Sequence, residues 1–427
     1  MAKISQILGM NARDQLYASR NSRDAKKYGF SKIRAKAFLK KHGIQVAELY
    51  GILKSAEDVR NFNWRSIEGG FAMKPSNGSA GKGVVVIKRK QKNRDVWETV
   101  EGKRYTANDL RLHASDILEG QYSTWGTIAN VILEERIPIH PDLEPYVKYG
   151  TPDVRVIVYN KIPVMAMTRL PTEASGGRAN LDQGAVGLGI DMGTGRTVHG
   201  VSGKKSTIDV LPGTDQPVDK LQIPFWIDIL KTAVRASNAT GLVFMGADIF
   251  VHPEKGPMIA EVNSFPGLSI QIANHAGLRR RLERVEDLEA RNVNHAVKIG
   301  QALFAENYPL VTIGDSELTV VAPKEEVEIF GEHGRKRKGM ALINTGREFS
   351  AIAIDVAQEL GLADQSNMLW SQYVEGEGKE FVVEVEYKLK DRVRKTQMIV
   401  SKRINSSKYL IHLGRKDLTG LLVGEVR

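Results

Sequence analysis

Cysteine is absent from all 427 residues. That excludes a disulfide framework, thiolate metal ligation and a cysteine nucleophile, and it leaves oxygen and imidazole as the metal donors on offer. Long apolar runs are missing as well. No stretch approaches the roughly 18 residues that a membrane span needs, and Met1 to Arg20 carries Lys3, Arg13, Asp14 and Arg20 where a signal segment has its apolar core. A soluble cytoplasmic protein without a membrane partner is expected. Proline (15) and glycine (40) stay short of the low-complexity range, while 42% hydrophobic and 26% charged residues make an ordinary globular balance. At roughly 100 to 200 residues per domain, the chain has room for two to four of them.

Acidic side chains are the scarcer charge. Lys and Arg number 61 against 50 Asp and Glu, a net +11, and residues 1–60 alone hold 13 basic and 5 acidic side chains. A basic face of this kind attracts polyanions by salt-screened Coulomb forces, and nucleic acid, acidic peptide and nucleotide phosphate all qualify. The basic residues are spread along apparent helices with no recognition motif beside them, which ranks nucleic acid low as a main partner.

Between Ser31 and Tyr50 the apolar positions Ile33, Ala37, Phe38, Ile44, Val46 and Leu49 predict a basic helix ending at Gly43, then an extended run. Residues 70–89 predict strand, glycine-rich turn, strand. Further strands are expected at 128–134, 153–159, 162–169, 243–251 and 257–263, and helices at 107–118, 224–239 and 277–306. Pro309, Gly314 and Pro323 then punctuate the entry into a strand-rich tail. The expected division is a first domain over 1–310 and a second over 317–427, of α+β class.

Two constellations carry chemistry. Residues 243–263 read VFMGADIFVHPEKGPMIAEVN, with the turn signal Pro253-Glu254-Lys255-Gly256 between two apolar runs. If that turn closes a hairpin, paired residue numbers sum to 509, Asp248 lies opposite Glu261, and Asn263 shares their face because strand side chains alternate. Opposed carboxylates repel, so a purely structural sheet should avoid the pair. A divalent cation removes the objection, and two carboxylates with an amide oxygen are hard ligands suited to Mg²⁺ and phosphate oxygens. The alternative is a shifted register that leaves Asp248 on a solvated edge. The second constellation is Lys74 before PSNGSAGKG, where Gly78, Gly81 and Gly83 free the backbone to wrap an anion and Lys74 and Lys82 add charge. Its spacing is neither that of a Walker A loop nor that of a dinucleotide fingerprint. Standing alone it reads rather as a flexible surface hairpin.

In order, these segments resemble the ATP-grasp superfamily, and within it the RimK-type α-L-glutamate ligases, over roughly residues 1–300. SKIRAKAFLKKHGI (31–44) resembles the family's helix that carries a phosphate-facing lysine, with Ser31 in place of an acid and Lys32 or Lys36 as the candidate. FAMKPSNGSAGKG resembles the strand lysine and lid. VILEERI (131–137) is similar to the adenine-holding hinge, which would put Glu134, Glu135 and Ile137 against the base. DVRVIVY with IPVMAMTR resembles the strand pair that would point Asp153, Arg155 and Arg169 into the site. RANLDQG (178–184) is similar to a segment near the transferred phosphate, with Arg178, Asn180 and Gln183. GADIFVHPEKGPMIAEVNSFPGL matches the metal signature and selects the same Asp248, Glu261 and Asn263.

The resemblance implies an ATP- and Mg²⁺-dependent ligase, with Mn²⁺ a possible substitute, that joins a carboxylate to an amine through an acyl phosphate, glutamate being one suggested amino acid. It implies that Lys74 holds the α and β phosphates, that Arg169 and Asn180 face the γ-phosphate, and that Arg155 grips a substrate carboxylate unless it is spent on an ion pair with Asp153 or Glu135. Residues 317–427 resemble the retropepsin-like domain known as an ATP-dependent zinc protease, through MALINTGREFSAI and YLIHLGRKDLTGLLV. Asn344 stands where the catalytic aspartate belongs, and an amide neither ionises nor activates water at neutral pH. His333 and His412 are isolated, which speaks against zinc. A non-catalytic tail is therefore expected, as a module for a peptide or protein partner or for homo-oligomerisation. The competing readings are a nucleotide- and peptide-binding adaptor without turnover and, behind it, a basic nucleic-acid binder.

Overall fold

β-branched and aromatic residues flank each turn-rich stretch of the first 290 residues, and those flanks form two antiparallel sheets. The computed structural model describes residues 6–77, 81–91, 94–122, 127–203, 206–305, 319–374, 378–418 and 421–424. They divide into two units, Met1–Asp191 with Gly195–Glu286, and Met192–Thr194 with Asp287–Arg427. The boundary expected between 310 and 317 falls in 306–318, outside the described residues.

The first sheet of the first unit comprises β1 (Leu49–Leu53), β2 (Phe71–Pro75), β3 (Val85–Lys90), β4 (Val96–Thr99), β5 (Arg104–Thr106) and β6 (Val131–Glu135), in the order β1-β6-β2-β3-β4-β5. Alternation gives it one apolar face. Phe71, Met73, Ile87, Val131 and Leu133 pack with Leu110, Ala114 and Ile117 of helix Ala107–Leu118, whose first turn is closed by a capping box between Thr106 and Asp109. Lys74 and Glu134 occupy the alternate positions and face the other way.

The second sheet runs β11-β10-β9-β8-β7-β12-β13, from β7 (Asp153–Tyr159), β8 (Ile162–Leu170), β9 (Val186–Ile190), β10 (Thr197–Ser202), β11 (Ser206–Ile208), β12 (Phe244–His252) and β13 (Gly256–Asn263). Helices Trp226–Thr240 and Leu278–Val285 pack against it, and β8 is buried along its whole length. A parallel bridge between Val46 and Ile259 brings the segment before β1 onto the edge strand β13.

The single helix expected over 277–306 is instead two, Leu278–Val285 in the first unit and Val293–Phe304 in the second. The periodicity hid a start signal: Asn292 accepts the amide of His295 at 2.9 Å and caps the second helix. Among the described residues no helix is long and apolar enough to cross a membrane.

In the second unit β14 (Thr319–Val321) pairs with β22 (Leu421–Val423), while β15 (Lys324–Phe330), β16 (Lys336–Ile343), β17 (Ser350–Ala353), β18 (Met368–Val374), β19 (Gly378–Leu389), β20 (Arg392–Ser401) and β21 (Ile411–Leu413) form one sheet in the order β15-β16-β21-β17-β20-β19-β18. Because β15 also pairs with β19, six strands close into a barrel with β18 outside the ring. Val327, Ile329, Ile352, Val385, Met398 and Leu413 fill its core. Asp417 is buried with them. Its carboxylate accepts from Ser350 and, at 3.4 Å, from Tyr387, and its carbonyl accepts from Arg394 at 2.5 Å.

Burial pushes the Asp417 carboxyl up to about 6, against the hydrogen bonds from Ser350 and Thr396, the Arg394 charge and the Tyr387 hydroxyl. A folded-state value above the ordinary 3.8 means stability that is complete below that pH and lost as the pH rises through about 6. Hydrogen exchange of the barrel amides in the full chain, corrected for intrinsic rates, should show protection falling from pH 4 to pH 7.5 by up to about 3 kcal/mol. Asp417→Asn should flatten that profile. A barrel that gains protection over the same range contradicts the assignment.

Candidate active site

β12 and β13 settle the hairpin register. At the turn the pairs sum to 508, with His252 opposite Gly256 and Ile249 opposite Ile259. An irregularity between Asp248 and Ile249 then adds one, so that Asp248 lies opposite Glu261 and Gly246 opposite Asn263. The expected alignment of the three side chains is met at the site, while the uniform sum of 509 is corrected at the turn, where the loop is three residues and Gly256 adopts φ +72°. Gly246 must be glycine for a packing reason, since a Cβ there would come within 2.8 Å of Pro266.

Asp248 is only 6% exposed, so the solvated-edge alternative fails. What relieves the opposed carboxylates in this structure is protein charge. Arg155 donates to both Asp248 oxygens at 2.7 Å, Arg169 reaches Oδ2 at 2.8 Å, and Asn263 Nδ2 lies 3.5 Å from the same oxygen. Arg169 also forks onto Asp153, with Nε to Oδ1 at 2.7 Å. Lys32 sits 3.6 Å from Glu261. The two alternatives for an Arg155 ion pair, Asp153 and Glu135, are both replaced by Asp248, which β7 sets directly opposite Arg155. Burial alone would raise the Asp248 carboxyl, but the two guanidiniums hold it well below the usual carboxylate range. Burial and the Asp248 charge push Asp153 up, against the pull of Arg169.

The second cluster lies on the non-core face of the first sheet. Glu134 accepts from Lys36 on one oxygen and Lys74 on the other, and all three are largely buried. Burial would raise Glu134, yet the two ammonium charges bring it below its ordinary value. Burial and the neighbouring Lys74 push Lys36 down to about 8, although Glu134 pulls the other way. Ser31, which stands where the resembling helix has an acid, caps helix Lys32–Lys41 by accepting the Arg34 amide at 3.3 Å. Lys32 and Lys36 are four residues apart on that helix and share a face. One lysine reaches Glu261 and the other Glu134, so a single helical turn joins the two clusters.

The remaining expected residues are less converged. Gly78 lies outside the described residues. Gly81 and Gly83 take φ +72° and +70°, and a Cβ on Gly81 would come within 2.8 Å of Arg178, which places the glycine turn against that side chain. Lys82 is exposed at the turn. Glu135 is tied to Lys255 and accepts the Glu48 amide at 3.2 Å. Ile137 is buried beside Ala47 and Met258, and its carbonyl accepts from Thr151 at 2.8 Å. Arg178 lies 3.4 Å from Gln183, and Asn180 caps the short turn Leu181–Gln183 by accepting the Asp182 amide at 2.9 Å. Among the described residues no hydrogen bond or ion pair links Arg178 or Asn180 to Asp248. Arg136 was not anticipated. Its backbone extends the β2–β6 ladder through a bond to Gly70, which puts it at a register position on the Glu134 face, and its buried Nε has no hydrogen-bond partner among the described residues. Alternation from Glu134 was the signal available for it.

Asp248, Glu261 and Asn263 offer two carboxylates and one amide, all hard donors, and the amide orientation is set by its network. Among the described residues no group of three or more His, Asp or Glu side chains is placed to hold a metal. The trio therefore fits a Mg²⁺ that keeps waters and takes phosphate oxygens, and does not amount to an all-protein cage.

A family model described as sugar-transfer associated ATP-grasp matches residues 11–287. The chain is 26% identical over 234 residues to the "Probable alpha-L-glutamate ligase" of Aliivibrio salmonicida (strain LFI1238), an alignment covering 52% of this chain and 60% of that protein. It thus spans about 60% of the length of that curated relative. Among solved structures, D-cycloserine synthetase DcsG matches at 16% identity, over 61% of this chain and 70% of that one, with a TM-score of 0.35. The D-alanine–D-alanine ligase from Bacillus anthracis matches at 12%, over 66% and 70%, also at 0.35. The ATP-grasp ligase PsnB, in its complex with a phosphomimetic variant of a minimal precursor, Mg and ADP, matches at 14%, over 62% of each chain, at 0.34.

The Lys36 environment has a consequence for pH. Its ammonium is charged below about 8 and neutral above, so if Lys36 meets nucleotide phosphates, as the resemblance implies, affinity for ATP should fall as the pH rises through that value. Lys36→Arg should remove the inflection, because a guanidinium stays charged throughout. Fluorescent nucleotide titrations from pH 6.5 to 9.5 measure both, and identical profiles for the two proteins contradict the prediction.

Proposed function

The chain belongs to the sugar-transfer associated ATP-grasp family, and from that premise we propose that it is an ATP- and Mg²⁺-dependent ligase joining a carboxylate to an amine. The observation that carries this reading is the helix Lys32–Lys41, which sets the Asp248–Glu261–Asn263 hairpin and the Lys36–Glu134–Lys74 cluster one turn apart. Metal donors and phosphate cations would then be gathered by one helix for one nucleotide.

Phosphoryl transfer asks a protein mainly for positioning and charge neutralisation. Lys36 and Lys74 supply cations for the nucleotide phosphates. Asp248, Glu261 and Asn263 would hold Mg²⁺, which would screen the phosphate charge. Arg155 grips the acid substrate, and Arg169, anchored by Asp153, faces the transferred phosphoryl group. The substrate carboxylate attacks the γ-phosphorus and ADP leaves. The amine, as its free base, then attacks the acyl carbon of the resulting acyl phosphate, and inorganic phosphate leaves. Asn180 spends its amide oxygen on a turn, so its Nδ2 is the group left for an oxyanion. The narrower likeness to RimK-type enzymes suggests glutamate, or another amino acid, added to a peptide or small acceptor.

Incubation with Mg-ATP and pools of amino acids and peptides, read by ADP release and product mass together, tests the reaction. Glu261→Gln is the informative variant. It removes a metal ligand at a partly exposed position, and should cut turnover by about 100-fold or more with the fold retained. Asp248→Asn is a poorer choice, because it strands the buried Arg155 guanidinium and should cost several kcal/mol of stability. Undiminished turnover in Glu261→Gln counts against the metal assignment.

For the barrel we propose a binding or dimerisation module without protease activity, of the retropepsin-like kind its motifs resemble. Asn344 lies on a turn after β16, where its Oδ1 accepts the Gly346 amide at 3.1 Å, so the position that would carry a catalytic acid serves as a turn former. Acid-protease assays of the full chain should detect no cleavage, with Asn344→Asp run beside it. Cleavage by the unmodified chain contradicts the proposal.

A further inference from the structure

Oδ2 of Asp248 is crowded with donors, and Oδ1 already carries one. A carboxylate offers about four lone-pair positions. Arg155 fills one on Oδ1 and one on Oδ2, both at 2.7 Å, Arg169 adds a contact to Oδ2 at 2.8 Å, and Asn263 Nδ2 approaches that oxygen at 3.5 Å. The second acid of the hairpin, Glu261, has Lys32 at 3.6 Å. Counting Asp153, three carboxylates face three cations, and the cluster is formally neutral. A hard dication arriving alone meets no net negative field, and must displace charge-assisted bonds from a carboxylate that is 6% exposed.

We propose that Arg155, Arg169 and Lys32 are resident counter-ions that keep the hairpin site closed to a free divalent cation, and that a nucleotide's phosphates open it by drawing the arginines off Asp248. Metal and nucleotide then enter as one unit. The inference rests on the metal-nucleotide reading of this site and goes beyond it by assigning an order of binding and the residue that enforces it.

The geometry singles out Arg155 as the moving part. Arg169 is forked onto Asp153 as well as touching Asp248, so it is held from a second side. Arg155 hydrogen-bonds, among the described residues, to the Asp248 side chain alone, and its Nη1 lies beside Gly267, which has no side chain of its own to hold it. A triphosphate offers paired acceptor oxygens of higher charge than one carboxylate, so the guanidinium exchanges one anion for a better one, and beside the γ-phosphate it also faces the acid substrate that attacks there. Asp248 is released by the same event that delivers the metal's remaining ligands. By linkage, nucleotide and metal must then raise each other's affinity by one common factor.

Electron paramagnetic resonance titration with Mn²⁺ on the full-length protein tests this without turnover. Wild type without nucleotide should bind Mn²⁺ at least about 10-fold more weakly than wild type saturated with the β,γ-imido analogue of ATP, after correction for Mn²⁺ held by free analogue. Arg155→Ala should gain about 10-fold or more in Mn²⁺ affinity without nucleotide, and adding Asp248→Asn to that variant should abolish the gain. Lys32→Ala, on the exposed side of the site, should give a smaller gain and serves if Arg155→Ala does not fold. Equal Mn²⁺ affinity of the wild type with and without analogue overturns the proposal, as does a folded Arg155→Ala with wild-type affinity. Absence of any protein-bound Mn²⁺ even with the analogue overturns instead the metal reading on which it stands.

Discussion

In the first unit the cations suited to phosphate are parked on carboxylates. Glu134 holds Lys36 and Lys74, Asp153 and Asp248 hold Arg169 and Arg155, and Glu261 faces Lys32. Few of these groups are fully hydrated. A lysine or arginine buried without a partner costs several kcal/mol or surrenders its proton, so a pocket that is to present four or five cations to a ligand needs acids to support them while the ligand is away. The architecture follows from that need. Two sheets bring the acids, and one amphipathic helix, capped by Ser31, reaches both with lysines a single turn apart.

The same constraint explains which parts of the site were legible in the sequence. Strand alternation and hairpin arithmetic put Asp248, Glu261 and Asn263 on one face, and period-2 reasoning needs only local residues. It could not reveal the irregularity beside Asp248, since a bulge changes the count by one without changing composition. Nor could it pair Arg155 with Asp248. Those residues are 93 positions apart and meet only because β7 lies beside β12, a neighbour relation that no local pattern encodes. For the same reason it could not show that Glu134, expected against a base, also carries two lysines. The one long helix that became two failed differently: its apolar spacing ran on through 286–292, and the Asn292 cap was outweighed by periodicity.

The second unit handles a buried acid in the opposite way. Asp417 has hydroxyls around it and a guanidinium that bonds to its backbone carbonyl, and burial outweighs their pull, so its carboxyl moves up. Asp248, with two guanidiniums on its oxygens, moves down. Equal burial yields opposite shifts, and the nature of the partner decides the sign. Asp417 sits in the packed barrel core, whereas Asp248 stands among the candidate metal donors of the β12–β13 hairpin.

Ion exchange also reconciles Glu134 with the hinge to which its segment is similar. Both of its oxygens are occupied by lysines in this structure. A base amine can reach Glu134 only if at least one lysine turns away, and the groups that attract lysines are the phosphates of the same nucleotide. On the binding order proposed above, the phosphates would likewise attract the arginines at Asp248 and leave that acid to a metal. One ligand would then trade partners at both ends of the site, and the acids it frees would be those that receive its base and its cation. Each such trade would exchange one charge-assisted bond for another, so no buried charge need be left bare.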